Sequence, residues 1–147
     1  MSTRCAIGLL RPNGTVLTIY NHHDGYPSGV GVCLLESYAN EERIKALLEL
    51  GSTSSIGKYL SKEEQPKDAE HDDICDPYCL GEFEETTQIM VYPSKEKFTW
   101  EAFDDMDADY LYLFEGSRWL VYCQPWDEPG ADWYDLKEIL EKDKKGE

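Results

Sequence analysis

The chain reads as an α+β domain: a mainly antiparallel sheet of about five strands with two to three amphipathic helices on one face. Three observations predict this. Two pairs of β-rich runs are each joined by a tight-turn signal, which makes two hairpins. A further short run around Ile89 and Val91 has the same β-branched character. Three stretches repeat apolar residues at helical spacing behind a capping residue, the pattern of a helix with one buried face. A chain of 147 residues, 41% hydrophobic and 12% aromatic, suits one domain, 1–147, with a single hydrophobic core.

In chain order, Thr3 to Leu10 is the first strand. Arg11-Pro12-Asn13-Gly14 is its turn, since Pro presets φ and Asn-Gly accepts positive φ. Thr15 to His22 returns. On a period of two, Cys5, Ile7 and Leu9 share one face and Arg4, Ala6, Gly8 and Leu10 the other. The small Ala6 and Gly8 imply a close neighbour on the second face. After the loop Asp24–Gly29, Ser28 is expected to cap a helix over about 29–39 with Val30, Cys33, Leu34 and Tyr38 inward. Gly29 and Gly31 in its first turn imply that backbone or ligand approaches there.

Asn40 caps a second helix, with Ile44, Leu47 and Leu48 inward and Gly51 as its stop. Ser52 to Leu60 reads as a loop with at most one helical turn. Ser61 to Glu85 is a long acidic excursion, either mobile or tied down at Ile74, Tyr78, Leu80 and Phe83. Thr86 to Tyr92 is a strand, and Thr99 caps a short helical turn through Phe103. Asp109–Glu115 and Arg118–Gln124 form the second hairpin around Gly116. Asp132 then caps a last helix with Trp133, Leu136, Ile139 and Leu140 on one face, and Lys142, Lys144 and Lys145 at its negative end.

The formal net charge is −16, and it is unevenly placed. Residues 1–60 hold five basic and five acidic side chains, so all the excess lies beyond residue 60. Such a surface repels nucleic-acid phosphates and anionic membranes and attracts basic proteins. No stretch approaches the roughly 20 apolar residues of a membrane helix. The start of the chain has no apolar leader, and five Cys is an odd count in a chain that needs no disulfides. The expectation is a cytoplasmic protein with reduced thiols.

Two regions carry candidate chemistry. The first is the strand-to-helix corner, with His22, His23, Asp24, Tyr26, Ser28 and Gly29 as candidate ligand-binding residues. An imidazole oriented by Asp24 is a possible proton shuttle, and N–H groups opening a helix attract anions. The sequence is neither a P-loop nor a dinucleotide fingerprint. On strand alternation the two imidazoles point to opposite faces and do not share a metal. Cys33, among apolar neighbours, reads as an inert core thiol.

The second region is acidic. Asp72, Asp73, Asp76, Glu82, Glu84 and Glu85 are expected to join Trp100, Glu101, Asp104, Asp105, Asp107 and Asp109 in one negative surface with aromatic anchors. The run from Asp104 to Asp109 lacks the glycine and distal Glu of a calcium loop. His71, Cys75 and Cys79 have a spacing compatible with a weak zinc clip, though no fourth ligand is evident. No cofactor is expected.

Ser2-Thr3-Arg4 before an Ile-Gly strand, Asn13-Gly14-Thr15-Val16, Ile19-Tyr20 and His23-Asp24-Gly25-Tyr26-Pro27-Ser28-x-Val30-Gly31 together resemble a group of small uncharacterised proteins of phages and other mobile elements. Many of these have His-Trp-Asp-Gly-Tyr where this chain has His22-His23-Asp24-Gly25-Tyr26, so His23 is a departure. The resemblance covers roughly the first 60 residues, and weakly the Tyr110–Val121 hairpin. It implies a phage accessory protein acting on a host factor and carries no catalytic assignment. The expected function is therefore a non-enzymatic acidic protein that engages a basic, nucleic-acid-binding host protein by charge mimicry. The alternative is a small-molecule or anion-binding protein, or a minor enzyme, using the His22–Gly31 corner.

Overall fold

A computed structural model describes residues 3–60, 63–69, 73–77, 89–106, 108–123 and 133–144, with only the backbone of 76–77, 123 and 142–144. β1 (Cys5–Leu10) and β2 (Val16–Asn21) form the first hairpin, in register from Cys5↔Asn21 to Leu10↔Val16. Its turn sets Gly14 at φ +91°, and the Asn13 side chain accepts from the Thr15 amide and hydroxyl.

The chain then bends into a single π-turn, Pro27–Gly31, which runs directly into α1 (Val32–Ser37). Helical geometry thus starts at Pro27, whose missing N–H costs nothing at a first position. Tyr26 holds the cap position, and Ser28 lies inside the turn rather than capping it. Of the expected inward set, Val30, Leu34 and Tyr38 are buried and Cys33 is only partly so. α2 (Glu41–Glu49) is capped by Asn40, whose Oδ1 accepts from Arg43 N at 2.9 Å, and ends before Gly51 at φ +80°.

Ser52–Leu60 is not a plain loop. It contains β3 (Thr53–Ser55), parallel to β2 at Asn21↔Thr53, and then β4 (Asp76–Pro77) pairs with β3. Between them, Tyr59 bridges Ile74, so the described part of the acidic excursion is tied to the sheet edge. β5 (Met90–Tyr92) pairs with the first half of β2.

α3 (Lys95–Met106) is a full helix of 12 residues rather than a short turn. Ser94 caps it by accepting from Lys97 N, while Thr99 sits inside, its hydroxyl donating to Lys95 O. β6 (Tyr110–Glu115) and β7 (Arg118–Cys123) form the second hairpin around Gly116 at φ +70°. β8 (Tyr134–Asp135) pairs with β7 and leads into α4 (Leu136–Lys144). Asp135 caps α4 through the amides of Lys137 and Glu138. The expected cap, Asp132, lies outside the described residues, as does Lys145. Trp133 precedes the helix and packs on the opposite side of the sheet from Leu136.

The sheet has eight strands among the described residues, in the order β4-β3-β2-β1-β6-β7-β8 with β5 also on β2. It is mixed, because β1 joins β6 in parallel from Cys5↔Tyr110 to Leu9↔Phe114. This corrects the expectation of about five mainly antiparallel strands. Helices cover both faces rather than one. α3 packs on Ala6, Val16, Leu111 and Leu113, while α1, α2 and α4 pack on Ile7, Leu9, Ile19 and Trp119. β1 is therefore buried along both faces. Gly8 shows why small residues were needed: a Cβ there would sit 2.8 Å from Val16 Cγ1 and 3.1 Å from Phe98 of α3.

Candidate functional site

The strand-to-helix corner owes its shape to backbone contacts. β2 ends at Asn21, and the amides of His22 and His23 donate to the carbonyls of Thr53 and Ser54. Two consecutive amides bonding to one neighbouring strand breaks the alternation of a regular strand. The two imidazoles therefore meet, with ring centroids 4.5 Å apart and edge to face, where alternation placed them on opposite faces. Among the described residues no group of three or more His, Cys, Asp and Glu could hold a metal ion.

Tyr20 OH lies 2.6 Å from His22 Nδ1. Burial, then His23 and Arg4, pull the His22 pKa below the usual imidazole value, so the ring is neutral at pH 7. Asp24 takes φ +57°, which Asp tolerates better than most residues, and its carbonyl accepts from Val30 N. Tyr26 OH donates to Asp24 Oδ1 at 3.1 Å, and this bond raises the Tyr26 pKa. The candidates thus meet as two pairs, His22 with His23 and Asp24 with Tyr26.

The corner's glycines answer to protein rather than ligand. A Cβ on Gly25 would be 2.8 Å from Thr3 O, and one on Gly29 2.5 Å from Asp24 O. Gly31 faces Leu136 of α4, where a Cβ would be 3.0 Å from Cδ1. Sequence reasoning missed the residues that hold the corner from outside it. Tyr112 OH donates to Gly25 O at 2.6 Å, across 87 residues of sequence. Asn21, fully buried, donates to His23 O and accepts from the Thr53 hydroxyl. An Asn at a strand end carries no local mark of such a role.

A groove of about 340 Å³ opens beside the corner, not at the histidines, and Ser28 lies on its rim. Its walls come from α1 and α4, at opposite ends of the chain, so no sequence motif announces it. Cys33 is partly buried, and burial pushes its thiol up to about 12, in keeping with an unreactive core thiol.

The acidic candidates divide. On α3, Trp100, Glu101, Asp104 and Asp105 are exposed, with Glu96 one turn earlier. Glu96 was missed because the helix was expected to start at Thr99; Ser94 followed by the spacing Phe98, Ala102, Phe103 and Met106 was the available signal. Trp100 is 68% exposed, unusual for so large an aromatic. Asp105 accepts from Tyr92 OH at 2.8 Å.

Asp109 is not on this face; its Oδ2 accepts from Arg4 N and joins the start of β1 to β6. Asp73 accepts from Lys58 N beside the Tyr59–Ile74 bridge. Asp76 contributes backbone to β4, and its side chain lies outside the description, as do Asp72, Glu82, Glu84, Glu85 and Asp107. Of the proposed metal clip, His71 and Cys79 lie outside the described residues. Cys75 is buried, its sulfur 3.3 Å from Tyr38 OH and accepting from Gly57 N.

No helix among the described residues is long and apolar enough to cross a membrane. Compared with known proteins, the chain matches no family model, no curated protein and no solved structure, so its site is interpreted from its own geometry.

Proposed function

We propose that the chain is a non-enzymatic binding protein that presents its α3 face to a basic protein surface. One observation carries this: Trp100 stands exposed in the middle of α3 with Glu96, Glu101, Asp104 and Asp105 around it. Residues 96–97, 100–101 and 104–105 fall on successive turns of one helix side. Lys97 pairs with Glu101 at 3.3 Å, which leaves three carboxylates beyond that pair. Carboxylates steer a basic partner, and an exposed Trp supplies the apolar anchor that charge alone lacks. The net charge of −16 adds to the steering and disfavours direct nucleic-acid or anionic-membrane binding.

The partner of this reading is a basic host protein that itself binds nucleic acid, with the carboxylates standing in for phosphates. The resemblance of the corner to phage and mobile-element proteins supports a host-directed accessory role in the host cytosol. The test is capture from a bacterial lysate at about 50 mM and 500 mM salt, a span over which exposed charges become screened. Wild type should retain a basic protein at low salt and release it at high salt. Trp100→Ala and the pair Asp104→Lys with Asp105→Lys should each fail to retain it. Retention indifferent to salt and to both variants overturns the proposal. A second reading, small-molecule binding beside the His22–Gly31 corner, is favoured by the groove at Ser28.

A further inference from the structure

We infer that the groove between α1 and α4 takes a small organic cation, an apolar body bearing one ammonium group. This rests on the small-molecule reading of the corner region and gives it a substrate class. The walls are apolar, formed by Val32 and Leu35 of α1 and Leu140 of α4. Leu35 and Leu140 are partly buried against the core, so the walls belong to packed structure. The two helices are held in register below the groove, where Gly31 admits Leu136. About 340 Å³ lies at the small end of ligand sites, room for one ring and a short chain.

The rim decides the charge of the occupant. Among the described residues of the lining, Glu36 stands on the α1 side and Glu141 on the α4 side, both exposed, and Lys137 carries the one ammonium. Two carboxylates against one ammonium around apolar walls favour a cation over an anion. The surplus negative charge of the chain works in the same direction. The groove lies on the sheet face opposite α3, so this site and the α3 face are separable by mutation.

The test uses three probes of similar size: phenethylamine, phenethyl alcohol and hydrocinnamate. Each is titrated into the full chain while the methyl NMR signals of Val32, Leu35 and Leu140 are followed. The expected result is saturable movement of these methyls with affinity in the order ammonium, alcohol, carboxylate. Glu36→Gln changes an exposed side chain and should weaken phenethylamine about fivefold while leaving phenethyl alcohol unchanged, as an exposed ion pair predicts. Trp100→Ala should alter none of the three. If the alcohol binds as well as the amine, or Glu36→Gln leaves the amine unaffected, the cation assignment is overturned while the small-molecule reading stands. If no probe moves the methyls saturably, both fail.

Discussion

The two faces of the sheet are covered in opposite ways. One is roofed mainly by a single helix, α3, whose inner side supplies Phe98, Ala102, Phe103 and Met106 and whose outer side carries the exposed Trp100. The other is pieced together from the π-turn, α1, α2 and α4. Short pieces cannot hold position by their own helical hydrogen bonds, since helices of this length are marginal alone. Here long-range polar contacts join them to the sheet and to one another. Trp119 Nε1 donates to Tyr38 O at 2.9 Å, Tyr38 OH to Gly57 O at 2.7 Å, and Tyr112 OH to Gly25 O at 2.6 Å. A roof made of one piece leaves its outer surface free for display. A roof made of four leaves seams, and the groove at Ser28 is one of them.

Substitutions on the two faces should differ in what they damage. The largest effect is expected for Trp119→Ala, which empties a site 2% exposed and removes the donor to Tyr38 O. Denaturant unfolding should show a loss of about 3–5 kcal/mol. On the α3 side, Gly8→Ala forces a methyl against Val16 and Phe98, and about 1–3 kcal/mol is expected from overpacking. Tyr112→Phe keeps the ring and removes the hydroxyl from the buried Gly25 carbonyl, for about 1–3 kcal/mol. If Gly8→Ala proved harmless, the close approach of α3 would be refuted.

Acid should act on stability through His22 at the end of β2, whose partner Tyr20 packs on the α3 side. The His22 pKa is lowered by burial, His23 and Arg4, so the unfolded chain takes up the proton at higher pH than the folded one. The stabilising contribution is complete above about pH 6.5 and declines as pH falls through the folded value. NMR titration should place His22 below free imidazole, and His22→Asn should flatten the decline of stability between pH 7 and 5. The smallest stability effect belongs to Trp100→Ala, within about 0.5 kcal/mol, because that ring stands in solvent. A large loss there would mean that Trp100 serves the fold rather than display.

Much of this architecture was legible locally. Gly14 and Gly116 mark both hairpins because each turn needs positive φ there; Gly51 ends α2 for the same reason, while Asn40 starts it by side-chain capping. The small Ala6 and Gly8 announced a close neighbour, though not that it was α3. The longer α3 was available from the spacing after Ser94. The reversal at Trp133 was not: it sits just before the cap Asp135, and its ring stacks on Phe98, 6.0 Å away, a contact made from across the chain. At the corner, the sequence marked the tight backbone and its glycines but not their cause. The near carbonyls of Thr3 and Asp24 and the side chain of Leu136 supply it.

The amino-acid sequence by itself determined the turns, the capped helix α2, the buried stripes and the excess of acid beyond residue 60, all properties of neighbours along the chain. Tertiary structure decided the parallel joining of β1 to β6, the pairing of β3 with the end of β2, the burial of both sheet faces and the meeting of the His22 and His23 rings. Each depends on contacts with segments far apart in sequence, which no local pattern specifies; the two rings meet because His22 and His23 both bond to β3. Only side-chain packing between such segments, Phe98 over Gly8 and Trp119 beneath Tyr38, selects one arrangement.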